Sequence, residues 1–184
     1  TVLTFTTLNA PTVVSAPVTM ITGNTATLNG TGNPNNATST GWFRYSQTDP
    51  VTCSDTFGTR TPSSGGSALG AGSSAVAYSA SLTGLASGTT YYVCAIASNN
   101  AGVSVGAPIN FTTLGSPTVT TLAATLVTNN SVTLNASSNP NGAPTTGYFR
   151  YSTSNPYSCN DTFGTRAPAT GGTSLGGGTA VANF

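Results

Sequence analysis

Two stretches of this chain gather nearly all the side chains able to do chemistry. The first is Gly41-Trp42-Phe43-Arg44-Tyr45-Ser46, followed by Cys53-Ser54-Asp55-Thr56-Phe57-Gly58-Thr59-Arg60. It returns as Gly147-Tyr148-Phe149-Arg150-Tyr151-Ser152, followed by Cys159-Asn160-Asp161-Thr162-Phe163-Gly164-Thr165-Arg166. Together they hold all 4 arginines, two of the 3 acidic residues and two of the 3 cysteines. A guanidinium can pair with a carboxylate or stack on an aromatic ring. If Phe43 and Tyr45 point into a core, Trp42 and Arg44 point outward, and with Tyr92 they form a candidate surface platform for a ligand such as a sugar. The competing role is structural. Arg44 then pairs with Asp55 or stacks on Trp42 or Tyr92, and Arg60 pairs with Asp55 to fix the loop.

Catalysis has few players. Lys, His and Glu are absent, which removes the usual general acids and bases and any Ser–His–Asp or Cys–His arrangement. Two-carboxylate glycoside chemistry needs a pair about 5–10 Å apart, but Asp55 and Asp161 occupy equivalent places in separate repeats and Asp49 lies in a loop. Calcium sites want several carboxylates and zinc sites want clustered His or Cys. The expectation is therefore no enzyme, no cofactor and no metal.

The elements that position these residues follow from composition and periodicity. Charged residues are 4% of the chain and the net charge is +1, so no basic surface is present to neutralise nucleic-acid phosphates or to hold an acidic membrane. Apolar residues reach 37% and recur with period two, and β-branched Val and Thr are abundant. This is the pattern of a folded all-β protein. No apolar run approaches the ~20 residues that span a bilayer. With so little charge repulsion, a dispersed surface calls for a sugar coat or burial in an assembly.

The chain repeats itself. Phe5-Thr6-Thr7-Leu8 matches Phe111-Thr112-Thr113-Leu114, and from there to Gly72 and Gly178 about half the positions are identical without a gap. Turn residues divide one unit into about seven strands, among them Pro11 to Ile21, Thr25 to Gly30, Thr40 to Thr48, Ala75 to Leu85, Thr90 to Ser98 and Ala107 to Thr113, with a long Gly/Ser/Pro-rich passage before Ser74. Short strands without helical periodicity predict two packed sheets.

Leu82-Thr83-Gly84-Leu85-Ala86-Ser87-Gly88-Thr89-Thr90-Tyr91-Tyr92-Val93, continuing through Ala97-Ser98-Asn99-Asn100-Ala101-Gly102, resembles the end of a bacterial fibronectin type III domain, and the closing Phe111-Thr112-Thr113 is similar to that family's last strand. Leu85 and Tyr91 match the positions of its tyrosine corner. The family's usual Pro is replaced by Ser87, and the cysteine-bearing passage is unusual for it. The resemblance implies tandem fibronectin type III-like (immunoglobulin-like) β-sandwiches. Residues 1–8 read as the last strand of a preceding repeat, 9–114 as a complete repeat, and 115–184 as a partial repeat lacking its last strands. Such an out-of-phase chain is either a window on a longer array or one completed by strands from neighbouring subunits.

In that fold the strand Thr40 to Thr48, which Cys53 follows, and the strand Thr90 to Ser98, which carries Cys94, are neighbours in one sheet. A Cys53–Cys94 disulfide would strap the long passage across that sheet's outer face, the alternative being independent thiols. Closing a ~40-residue loop stabilises by about 4 kcal/mol in the chain-entropy model, and a disulfide fits an exported protein. Asn-X-Ser/Thr triplets occur at Asn29, Asn36, Asn110, Asn129, Asn135 and Asn160, each a glycosylation candidate of low specificity. The expected role is a non-enzymatic structural repeat protein of a bacterial extracellular filament, sheath or surface layer, its partners copies of itself and glycans. The alternative is an adhesive or spacer module of a large secreted adhesin or carbohydrate-active enzyme. With few titratable groups, stability should depend weakly on pH between about 4 and 9.

Overall fold

Alternating small and β-branched residues give strands throughout. The computed structural model describes residue 3 and residues 7–184, and it contains no helix among them. The chain divides into two compact units, Thr1–Thr113 and Leu114–Phe184. The strand expected within residues 1–8 falls mostly on residues outside those described.

Unit 1 contains β1 (Thr12–Thr19), β2 (Thr25–Asn33), β3 (Ser39–Ser46), β4 (Thr59–Thr61), β5 (Ser67–Gly70), β6 (Val76–Thr83), β7 (Thr90–Asn99), β8 (Gly102–Val105) and β9 (Ile109–Thr112). Strands β1, β2 and β6 form one antiparallel sheet in that order. The second sheet runs β4-β3-β7-β8, with β5 also pairing β3 and β9 also pairing β7. Two sheets facing one another bury one side of each strand, which is why β2 alternates strictly between half-buried and buried positions. Leu28, Tyr78 and Leu82 from the first sheet meet Phe43, Tyr91, Val93, Ala95, Ala97 and Phe111 from the second. Each large side chain removed from water contributes about 1.5–3 kcal/mol.

The expected seven strands are nine. The Gly/Ser/Pro-rich passage contributes β4 and β5, which its composition hides. The expected last strand, Ala107 to Thr113, is shorter, because Gly106-Ala107-Pro108 separates β8 from β9. Strand β7 changes partner along its length: Thr90 to Val93 pair with β9, and Ile96 to Asn99 pair with β8. Ala95 lies at the handover. Its N–H donates to the Ser15 hydroxyl at 3.1 Å and its carbonyl accepts from Gly106 N–H at 2.8 Å, so no backbone group is orphaned there.

Unit 2 contains β10 (Thr118–Thr125), β11 (Thr133–Asn139), β12 (Thr145–Gly147), β13 (Phe149–Tyr151), β14 (Thr165–Ala167), β15 (Thr173–Gly176) and β16 (Ala182–Asn183). Registers repeat those of unit 1. Phe149, Arg150 and Tyr151 pair with Ala167, Arg166 and Thr165, as Phe43, Arg44 and Tyr45 pair with Thr61, Arg60 and Thr59. Strand β16 begins the counterpart of β6, its Ala182 and Asn183 facing Ser138 and Ser137 of β11. Among the described residues, unit 2 has no counterpart of β7, β8 or β9.

Candidate functional site

The side chains singled out above converge on the outer face of the second sheet of unit 1. Period-two alternation along β3 sends Phe43 into the core and leaves Trp42 and Arg44 on the opposite face. Across β7, Ile96 stands opposite Trp42 and Cys94 opposite Arg44. The loop between β3 and β4 then folds over this face. Cys53 and Cys94 are joined in a disulfide with their Cα atoms 5.8 Å apart. Cys94 faces away from the sandwich core, yet it is fully buried because the loop covers it.

Asp55 is the hub beneath the loop. Its Oδ1 accepts from Trp42 Nε1 at 2.9 Å and from Arg44 Nε at 3.1 Å. Arg44 Nη1 also donates to the carbonyls of Phe57 and Gly58, at 3.1 and 3.2 Å. The expected Arg60–Asp55 pair is not formed. Arg60 lies over the indole instead, its Cζ 4.6 Å from the ring centroid, and donates to the carbonyls of Pro62 and Gly65. Arg44 already occupies Asp55, and strand pairing sets Arg44 and Arg60 side by side, so the second guanidinium finds backbone oxygen and an aromatic face.

This arrangement corrects the surface-platform reading. Trp42 is only 6% exposed, covered by Arg60 and committed through its N–H to Asp55. Arg44 is spent on Asp55 and two carbonyls. Tyr92 is half-buried, on the far side of Cys94 from Ile96. An aromatic face that binds sugar has to be open, and this one is closed by the protein itself.

Unit 2 repeats the cluster with one informative replacement. Arg150 Nε meets Asp161 Oδ1 at 3.0 Å, and Arg150 Nη1 donates to Phe163 O at 2.8 Å. Arg166 lies over Tyr148, 3.9 Å from its ring centroid. Tyr148 stands where unit 1 has Trp42. The hydrogen bond from Tyr148, followed by that from Arg150, holds the Asp161 carboxyl below its ordinary value. The same bond to Asp161, followed by desolvation, raises the Tyr148 hydroxyl. Cys159 is a free, exposed cysteine at the place of Cys53.

Elsewhere, the Tyr91 hydroxyl accepts from Ala86 N–H at 2.9 Å and from Gln47 Nε2 at 3.3 Å, pinning the turn before β7. Asp49 caps its own loop by accepting from Val51 N–H at 2.8 Å. Among the described residues, no three His, Cys, Asp or Glu side chains cluster to hold a metal, and no helix is long and apolar enough to cross a membrane.

The six candidate asparagines divide in two. The amide nitrogen of Asn29 donates to Pro17 O and to the Thr19 hydroxyl, and that of Asn135 to Ala123 O and to the Thr125 hydroxyl, bridging neighbouring strands in each unit. Asn36, Asn110, Asn129 and Asn160 are exposed. Of the roles left open for Arg44, stacking on Trp42 or Tyr92 or pairing with Asp55, the structure forms the pair. The backbone carbonyls that receive both arginines carry no sequence signal beyond the repeated Phe-Gly-Thr-Arg.

No protein-family model matches the chain, and no curated protein matches it. Among solved structures, the sensor domain of the anti-sigma factor RsgI4 of Pseudobacteroides cellulosolvens is similar in two forms. The short form is 16% identical at a TM-score of 0.40, covering 60% of this chain and 100% of its own. The long form is 16% identical at a TM-score of 0.32, covering 62% of this chain and 97% of its own. Likeness at this level carries no function across.

Proposed function

We propose that this chain is a non-enzymatic structural protein, built of tandem fibronectin type III-like β-sandwich repeats, in a bacterial extracellular filament, sheath or surface layer. The observation that carries the reading is the internal role of the cluster of chemically capable residues in unit 1. Trp42, Arg44, Asp55 and Arg60 satisfy one another and the loop backbone, and the repeat copies that fastening rather than an open site. The Cys53–Cys94 disulfide fits export to an oxidising compartment. A chain with 4% charged residues suits burial in an assembly or a glycan coat. Of the candidate acceptors, Asn36, Asn110, Asn129 and Asn160 have the accessibility that a glycan requires.

The adhesive-module alternative loses its strongest feature, because Trp42 is covered. Negative-stain electron microscopy and light scattering of the purified protein over a concentration series test the structural reading. Filaments or sheets are expected. A protein that stays monomeric at high concentration, or that binds a polysaccharide in a way abolished by Trp42→Ala, overturns it.

A further inference from the structure

Unit 1 blunts or shortens its sheet edges, with one exception. Strand β1 bends at a bulge between Ala16 and Thr19 that holds Pro17, and its Ser15 hydroxyl accepts from Ala95 N–H of the second sheet. Strands β4, β5, β8 and β9 are only three or four residues long, and Pro62 and Pro108 flank β4 and β9. Strand β6 has none of these features. It pairs with β2 from Val76 to Thr83 without a register shift, and no described strand lies on its other edge. Its eight residues, Val-Ala-Tyr-Ser-Ala-Ser-Leu-Thr, include no proline, no glycine and no charge. Such an edge offers a row of free N–H and C=O groups to another strand.

Charge selects the partner. No Lys, Arg, Asp or Glu lies on β1, β2 or β6. The charges of unit 1, Arg44, Asp49, Asp55 and Arg60, all lie on β3, on β4 or in the loop between them. Strand β5, beside β6 across the sandwich, carries none either. A second copy therefore meets this edge without like-charge repulsion, and in an assembly of copies every neighbour presents the same edge. Val76 and Ala80, on the core face of β6, are only half-buried and keep apolar surface that an added strand would cover.

We infer that β6 of unit 1 pairs antiparallel with β6 of a second copy, about a two-fold axis through Ser79. Period two restricts the register. Residues directly opposite in an antiparallel pair lie on one face, so the core-facing Val76, Tyr78, Ala80 and Leu82 meet one another and not Ala77, Ser79, Ser81 or Thr83. The overlap is longest when the axis passes through Ser79 or Ala80. An axis at Ala80 leaves Val76 without an opposite residue in the strand. An axis at Ser79 sets Val76 against Leu82 of the copy and Tyr78 against Ala80, a large side chain against a small one, and covers both half-buried positions. On the outer face Ser79 then meets Ser79, and Ala77 meets Ser81. The product is one continuous sheet in the order β1-β2-β6-β6-β2-β1, with both cores on the same side.

This contact deepens the proposed structural role by naming one surface through which copies meet. A two-fold contact closes on itself, so it joins molecules side by side in pairs and does not by itself extend a filament. Its readouts are local to β6, whereas the structural role is read by electron microscopy, and the two can fail separately.

The test uses the full chain with Cys159→Ser, Cys53–Cys94 intact. Analytical ultracentrifugation over a concentration series should show a monomer–dimer equilibrium, and hydrogen exchange within residues 76–83 should slow as the dimer forms. Ser79 is exposed, so replacing it leaves the core alone. Ser79→Lys and Ser79→Glu should each weaken dimerisation at least fivefold, because like charges then stand directly opposite, and an equimolar mixture of the two should restore it. With oxidised glutathione, Ser79→Cys should give a disulfide-linked dimer at least tenfold faster than Ser81→Cys. Opposite Cβ atoms lie about 4.5–5.5 Å apart, near the span that a disulfide needs, whereas Ser81 faces Ala77. A protein that stays monomeric at every concentration overturns the inference. So does a dimer that Ser79→Lys leaves unchanged, or one that cross-links equally well through positions 79 and 81.

Discussion

Trp42 and Asp55 lie thirteen residues apart in sequence and meet through a 2.9 Å hydrogen bond from the indole Nε1 to the carboxylate Oδ1. The same oxygen takes Arg44 Nε. The bond ties a strand on the outer face of the sandwich to the loop that covers it. Removing the carboxylate in Asp55→Ala strands a buried indole N–H and a mostly buried guanidinium. One buried donor left unsatisfied costs about 1–3 kcal/mol, so urea unfolding followed by the fluorescence of Trp42, the chain's single tryptophan, should show a loss of about 2–3 kcal/mol. Asp161→Ala should cost less, because Asp161 is 68% exposed against 38% for Asp55.

The disulfide adds a second tie to the same loop. It closes a sequence separation of 41 residues, for which the chain-entropy model gives about 4 kcal/mol as an upper figure. Reduction, or the Cys53→Ala/Cys94→Ala pair, should lower the stability reported by Trp42 by about 2–4 kcal/mol. Hydrogen exchange within residues 133–139 of unit 2 should not change. A parallel loss there would mean that the two units unfold as one.

How much of this was readable beforehand depended on whether the signal was local. The duplication and the strands of period two were readable, because each rests on residue type and spacing; the Arg44–Asp55 pair was one of several partners that residue type allowed. Strands β4 and β5 were not: Thr59–Thr61 and Ser67–Gly70 are too short to show a period and lie among glycines and serines. The burial of Trp42 was not readable either. Alternation places it on the face away from the core, and only the returning loop turns that face into a second, smaller interior. Arg60 was expected on Asp55 because opposite charges attract, but pairing register put Arg44 there first.

Tyr78 makes unit 1 sensitive to alkali. Burial raises its hydroxyl above the ordinary value near 10, and the protonated hydroxyl donates to the Ile96 carbonyl at 2.9 Å. The folded state keeps the proton after the unfolded chain has begun to lose its own. The stabilisation is therefore complete below about pH 10 and falls as pH rises beyond it. Tyr78→Phe should remove that part of the alkaline decline while costing about 1 kcal/mol at neutral pH for the lost hydrogen bond. Unit 2 already places Phe184 on the equivalent glycine, Gly147, so the ring itself is accommodated. In unit 2, Asp161 is lowered and Tyr148 raised. The Asp161 contribution is present above the ordinary carboxylate range and lost as pH falls through its lowered value; that of Tyr148 is lost only in alkali. All three shifts lead away from neutrality, so stability measured by urea midpoints should be nearly flat between pH 5 and 9.

Gly58 separates two costs that a glycine usually combines. Its φ is +51°, and a Cβ added there would lie 2.3 Å from the Tyr45 carbonyl oxygen, a backbone atom held in β3. Gly65, in the same loop, has φ +67° with nothing within 4 Å of its would-be Cβ. Gly65→Ala therefore meets only the left-handed backbone penalty, about 1–2 kcal/mol. Gly58→Ala meets that penalty and must also displace either the loop or the end of β3, which carries the Phe57 and Gly58 carbonyls away from Arg44. Its loss should exceed that of Gly65→Ala by at least about 1 kcal/mol, in line with the cost of a strained backbone position. Urea unfolding of both variants reads the difference, and a red shift of Trp42 emission in Gly58→Ala alone would show the loop lifting from the indole. Equal losses would mean that the loop yields freely and does not fasten the sheet.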